Sequence, residues 1–327
     1  MTAPASDERR RAMLRTAFGP TIASALADPL VMEVMVNPDG ALRLDRLGYG
    51  RTDTGVRIEA EQIERIVRLV ASHIRAEVNA AAPIVSAELP ADRGVAGERF
   101  EGVLPPVTAS ACFSIRKPAQ RLYTLSDYVS DGIMSSGMAR LLSLAVIHRQ
   151  NILLCGGTSS GKTTLANALL HEMANLDERV ILIEDTRELR CPALDTVALR
   201  TRAGFVTMAD LVRSTLRLRP DRIIVGEVRG AEALDMLKAW NTGHPGGIAT
   251  IHANSASAAL LRIEQLVQEA VITVPRRMIA EAIDLIVFVA GRGASRRIDS
   301  VLRVGGLDPD GAYDLSDLAP DSTAQGE

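Results

Sequence analysis

Residues 151–170 read NILLCGGTSSGKTTLANALL, and this stretch decides the fold. Ile152 to Cys155 is a short apolar run of the kind a buried strand carries. The loop after it has the pattern G-x-x-x-x-G-K-T at Gly156, Gly161, Lys162 and Thr163, and apolar residues at helical spacing follow. Strand, glycine-rich loop and helix in that order make a phosphate cradle. Glycine lets the backbone curl until successive N–H groups point inward, and the helix beginning at Lys162 adds the positive end of its dipole. The expected cradle is Gly156, Gly157, Thr158, Ser159, Ser160, Gly161, Lys162, Thr163 and Thr164. Lys162 is expected to hold β and γ phosphates, and the Thr163 hydroxyl to take a magnesium ion.

Composition supports this reading. Arginine outnumbers lysine 34 to 3, so Lys162 is an exception in a chain that uses arginine for nearly every positive charge. A compact ammonium fits between phosphate oxygens in a way that a planar guanidinium does not. The 327 residues are 47% hydrophobic, enough for about two domains with real cores. Aromatic residues are only 3%, net charge is −3, and residues 1–130 hold 16 basic and 16 acidic side chains. Neither a stacking platform nor a basic face is visible, which argues against direct nucleic-acid binding. Cys112, Cys155 and Cys191 lie far apart and suggest neither disulfide nor zinc. The apolar runs fall far short of the roughly 20 residues that span a bilayer, and the charged start is no signal peptide. The expected location is the cytoplasm, or the periphery of a membrane.

Before the phosphate loop the pattern is mixed. Residues 7–27 read as a helix interrupted at Pro20, with Arg9, Arg10, Arg11 and Arg15 as a basic start that could touch anionic lipid. VMEVMVN, the turn Pro38-Asp39-Gly40 and ALRLDR read as a β-hairpin. Ile63, Ile66, Val67, Val70 and Ile74 mark one helical face, and short strands are expected at 84–89, 99–104 and 111–116. Residues 1–117 are therefore expected to form a smaller α+β N-terminal domain, with 118–137 as linker and 138–327 as a second domain. There, a helix capped by Ser135 or Ser136 precedes apolar runs at 152–155, 180–184, 222–226, 248–251 and 285–290, separated by helical patterns. That alternation predicts an α/β domain with a mostly parallel sheet, whose ligands sit at the carboxyl ends of the strands. The tail from about Asp308 is polar and expected to fray.

Three further stretches carry chemistry. R-I-I-V-G-E-V-R, 222–229, delivers Glu227 at a strand's carboxyl end, where a carboxylate can orient a water and accept its proton. V-I-L-I-E-D-T-R-E-L gathers Glu184, Asp185 and Glu188 after another strand, with Glu184 a candidate for magnesium and both glutamates for positioning water. T-G-H-P-G-G-I-A-T-I-H-A-N, 242–254, sets His244 and His252 on either side of a strand. That separation is wrong for a shared metal and suits a γ-phosphate sensor.

These motifs, in this order and spacing, resemble the Walker A, Asp box, Walker B and His box of the secretion (traffic) ATPases. The resemblance covers about residues 25–305 and is closest to the type IV secretion branch and its TrbB family of conjugal transfer proteins. It implies a RecA-like P-loop NTPase motor domain that hydrolyses ATP with Mg2+, assembled as a homo-hexamer. It further implies a place on the cytoplasmic face of the inner membrane, beside other components of the apparatus, driving assembly of a transfer channel or pilus. It implies too that N-terminal arginines reach the nucleotide; F-S-I-R-K-P, 113–118, matches the segment carrying one, which makes Arg116 the candidate. The tetracysteine zinc module common in type II motors is missing, which favours the type IV branch. A nucleic-acid translocase on the same core and a nucleotide-gated scaffold without turnover are the competing readings.

Overall fold

The computed structural model describes residues 3–90, 97–118, 122–202 and 204–318. The chain divides into two units, Met1–Gln120 and Arg121–Glu327.

The first unit contains α1 (Ala3–Ala27), β1 (Val31–Val36), β2 (Ala41–Arg46), β3 (Gly50–Arg57), α2 (Ala60–His73), β4 (Ile84–Glu88), β5 (Arg99–Val103) and β6 (Cys112–Arg116). Its strands form one antiparallel sheet in the order β3-β2-β1-β6-β5-β4. The apolar stripe of α2, Ile63, Ile66, Val67 and Val70, is buried against Val34, Phe100 and Ile115 of the sheet. Each such side chain contributes about 1.5–3 kcal/mol by leaving water. The α1 segment breaks at Gly19, whose φ of 73° is non-helical, and Pro20 then opens the second half. Leu14, Phe18 and Ile22 are buried in the same core, so the apolar face of residues 14–22 packs inside the unit. The side chains of Arg9, Arg10 and Arg11 lie outside the described residues.

The second unit contains α3 (Leu125–Ser130), α4 (Ser136–Ile147), β7 (Ile152–Gly156), α5 (Lys162–His171), β8 (Arg179–Glu184), β9 (Asp195–Arg200), α6 (Met208–Thr215), β10 (Arg222–Val225), α7 (Glu232–Asn241), β11 (Ile248–His252), α8 (Ala256–Gln268), α9 (Arg276–Ala282), β12 (Leu285–Ala290), β13 (Arg297–Leu307) and β14 (Tyr313–Asp317). The sheet runs β14-β13-β12-β7-β11-β10-β8-β9; β13 and β14 are antiparallel additions to an otherwise parallel set. Successive residues of β7 face opposite sides. Leu153 and Cys155 pack with α6, α7, α8 and α9, while Ile152 and Leu154 pack with α3, α4 and α5. A strand covered on both faces must be apolar throughout, which is why ILLC has no polar position.

Within the stretch read from sequence as a linker, α3 opens with a Thr124–Asp127 capping box and buries Leu125 and Tyr128 in the core of the second unit. The Ser135 hydroxyl caps α4 by accepting from Met138 N–H. The expected fraying after Asp308 is corrected for residues 308–318, and residues 319–327 lie outside the described residues. Asp308 Oδ1 accepts from the N–H groups of Asp310 and Ala312, and this turn returns the chain as β14 against β13.

Candidate active site

Strands β7, β10 and β11 all end on the same edge of the parallel sheet, and Lys162, Glu227 and His252 gather there. The loop between β7 and α5 depends on two glycines. Gly156, at φ 153°, lies so near β12 that a Cβ would stand 2.4 Å from Val289 O. Gly161, at φ 100°, sets the start of α5 in the left-handed region. Lys162 is 7% exposed, and its Nζ donates to Gly156 O and Gly157 O at 3.0 Å each, folded back over the loop. The same Nζ lies 3.4 Å from His252 Nδ1.

Glu227 follows β10 in a turn that β11 holds down. Thr250 Oγ1 donates to Gly226 O at 2.6 Å, and Val228 N–H donates to Thr250 O at 2.9 Å. One carboxylate oxygen of Glu227 accepts from Arg229, and Oε1 stands 2.6 Å from His252 Nε2. Burial, and the charge of Lys162 next, hold the His252 pKa below its ordinary 6.5, against the opposing pull of Glu227. A neutral ring can accept from Lys162 at Nδ1, while Nε2 lies in close contact with the carboxylate. Lysine, histidine and glutamate thus form a continuous path from the phosphate loop to the end of β10.

The other predicted residues divide. Glu184 is 4% exposed, and its Oε1 accepts from the N–H groups of Glu188 and Leu189 at 2.9 and 2.8 Å. Burial pushes its pKa up to about 7, with those two bonds opposing. Its carboxyl pins the loop after β8, and this oxygen is directed at backbone. Glu188, half-buried on that loop, is fixed through its carbonyl, which accepts from Asn167 Nδ2 at 3.0 Å. Thr163 lies on the first turn of α5, partly exposed.

The structure sets His244 apart from the phosphate loop. It precedes β11, whereas the phosphate loop lies beyond the far end of that strand, about 13 Å of extended chain away. His244 Nδ1 lies 3.0 Å from Pro220 O, at the amino ends of the strands. Arg116 ends β6 in the first unit, exposed, its backbone registered with Glu33 and Arg99.

Arg229 was missed from sequence. It pairs with Glu227 and stands 3.8 Å from Asp185 Oδ2, tying the loop after β8 to the turn after β10. Its signal, a cation two residues beyond an acidic strand end, is too common to single out.

The chain matches the model of the type II/IV secretion system protein family over residues 33–292. It is 46% identical to a probable conjugal transfer protein TrbB of Sinorhizobium fredii over 89% of this chain and 88% of that protein. It is 45% identical to the conjugal transfer protein TrbB of Rhizobium radiobacter over 94% of each. Among solved structures, the pilus retraction motor PilT, crystallised with bound ADP, is similar in fold alone: TM-score 0.61 at 19% identity, over 92% of this chain and 83% of that one.

Proposed function

The chain belongs to the type II/IV secretion system protein family, whose traffic ATPases hydrolyse ATP, and from that membership we propose that it is the ATP-hydrolysing motor of a conjugal type IV transfer apparatus. The observation that carries the reading is the contact path Lys162–His252–Glu227 at the carboxyl edge of a parallel sheet. In this reading the second unit is a RecA-like motor core. The protein works as a homo-hexamer on the cytoplasmic face of the inner membrane, with other components of the apparatus as partners and assembly of a channel or pilus as the work done.

The chemistry follows from charge and position. On binding ATP, the N–H groups of residues 157–164 and the start of α5 face the phosphates. Lys162 exchanges its carbonyl partners Gly156 and Gly157 for β- and γ-phosphate oxygens, gaining charge-assisted bonds. Glu227 orients the attacking water and takes its proton as the bond from γ-phosphorus to the bridging oxygen breaks, a role worth about 10²–10⁴ in rate. His252, touching both Lys162 and Glu227, registers departure of the γ phosphate at both. Arg229 keeps a cation against the base.

Thr163 supplies a hard hydroxyl donor for magnesium, which neutralises charge on the β and γ oxygens when bound. Among the described residues no group of three or more His, Cys, Asp or Glu could hold a metal alone, which fits an ion that arrives with the nucleotide. Glu184 fits this set less well than its sequence position implied, since Oε1 is taken by backbone N–H groups. Arg116 completes the charge around the γ phosphate in this reading.

The test is a phosphate-release assay on the full chain with ATP and magnesium, with Glu227→Gln as control. Turnover that Glu227→Gln abolishes supports the motor. ATP binding without phosphate release would replace it with a nucleotide-gated scaffold.

A further inference from the structure

The phosphate loop has two flanks. Glu227 and His252 approach it from β10 and β11, while β12 and the turn leading into β13 lie on the other side of β7. That second flank carries Arg296. A Cβ placed on Gly161 would meet the Arg296 guanidinium at 2.7 Å, from both Cζ and Nε, so the cation lies against the bare Cα of the residue that opens α5. The turn carrying it is held at both ends. Ser295 Oγ donates to Arg292 O at 2.9 Å, and Ile298 N–H donates to Ile133 O at 2.9 Å.

Three polar atoms around this point are enclosed and have no partner: Arg296 Nε, Tyr128 Oη and Ser160 Oγ. Tyr128 is 0% exposed, and Ser160, a member of the loop itself, is 2% exposed. A cleft of about 450 Å³ opens between the loop and the turn; Gly157 and Ser160 of the loop and Arg292 and Ser295 of the turn line it, while Arg296 lies beside it, against Gly161. Enclosed donors without acceptors are uncommon in folded proteins, and two of these, Ser160 Oγ on the loop and Arg296 Nε against Gly161, stand at the phosphate cradle.

We propose that Arg296 is a nucleotide-binding residue that donates to a phosphate oxygen on the nucleoside side of the bound nucleotide. This rests on the reading of the loop as a nucleotide site. Lys162 serves the reacting end, next to His252 and Glu227, and Arg296 serves the other end from the opposite flank. The division follows from strand order: the groups that do chemistry stand beyond β11 and β10, and a cation entering from beyond β12 meets the part of the nucleotide that is not cleaved. Gly161 then has a second reason to be glycine, since any side chain there would displace the guanidinium.

ADP is the probe, because it lacks the γ phosphate that the other flank reads. Its affinity is measured by calorimetric titration of the full chain, with Lys162→Ala as control for the loop. Arg296→Met keeps most of the aliphatic stem and removes the donors. It is expected to bind ADP at least about tenfold more weakly, while melting without nucleotide within a few degrees of wild type and losing most of the ADP-induced rise. Arg296→Lys keeps the charge without the fork and should fall between. Wild-type ADP affinity in Arg296→Met overturns the proposal. Should that variant fail to fold, Arg296→Lys decides alone: several-fold weaker binding supports the contact, and unchanged binding overturns it. A wild-type chain that binds no ADP would instead sink the nucleotide reading itself.

Discussion

Glu227 Oε1 and His252 Nε2 stand 2.6 Å apart, with the second carboxylate oxygen of Glu227 held by Arg229. The base is therefore held by Arg229 and in contact with His252 before substrate arrives. Glu227→Gln keeps the shape and cannot accept a proton, so ATP binding should persist while phosphate release falls at least about a hundredfold. Surviving turnover would move the base role to Glu184 or Glu188.

His252→Ala removes the link between the loop lysine and the base. Lys162 keeps its reach to phosphate and Glu227 keeps Arg229, so ATP affinity should stay within a few-fold of wild type while turnover drops by about ten-fold or more. Loss of ATP affinity matching the loss of turnover would assign His252 to binding. His244→Ala, at the other end of β11, should leave both quantities nearly unchanged.

Lys162→Ala deletes the ammonium that crosses from the Gly156 and Gly157 carbonyls to the phosphates. ATP affinity should fall at least about a hundredfold, because the loop N–H groups and the helix dipole remain without their mobile cation. An equilibrium titration returning near-normal affinity would mean the loop is not the site.

Glu184 gives a pH dependence with a definite sign. Its carboxyl titrates at about 7 when folded against the ordinary 4.5, so between those values the folded chain binds more protons than the unfolded one. Stability should therefore fall as pH rises from 4.5 to 7, by on the order of 3 kcal/mol, with the full loss above 7 and none below 4.5. Glu184→Gln keeps an oxygen for the Glu188 and Leu189 N–H groups and has no proton to lose. Denaturant unfolding at pH 5 and pH 8 should show a smaller difference in the variant than in wild type; an equal difference would assign the dependence to other groups.

What was legible in the sequence follows from burial. Strands β7, β8, β10, β11 and β12 are covered on both faces, so each appears as an apolar run whose position survives any register. Strands β3, β9 and β14 lie at sheet edges and expose half or more of their residues, so RTDTGVR and YDLSD carry no such mark. The site divides the same way. Lys162, Glu227 and His252 each lie at or just after the carboxyl end of a strand, which chain order alone reveals. His244 and His252 look equivalent in sequence because both flank a strand, whereas only the His252 end of β11 faces the loop. Arg229 and Arg296 depend on which strands are neighbours, and no local pattern encodes strand order.

Arg116 carries the last expectation, and it turns on where positive charge must come from as the γ phosphate leaves. Negative charge then spreads over its oxygens, and the groups near the loop supply Lys162, a helix start and Arg229, the last already paired with Glu227 and 3.8 Å from Asp185. Such sites are commonly completed by an arginine brought from elsewhere. Arg116 is exposed at the end of β6 and is no part of the core that the α2 stripe covers, so Arg116→Ala should fold normally. Its turnover should fall by about a hundredfold or more with ATP still bound. Mixing that variant with Glu227→Gln chains then separates two geometries. Recovered phosphate release in mixed assemblies means an arginine from one subunit serves the glutamate of another, because only a site formed by one intact contribution from each can turn over. No recovery in assemblies shown to mix means a site completed within one chain. Full turnover by Arg116→Ala alone would remove this arginine from the mechanism and leave Arg229 as the cation nearest the base.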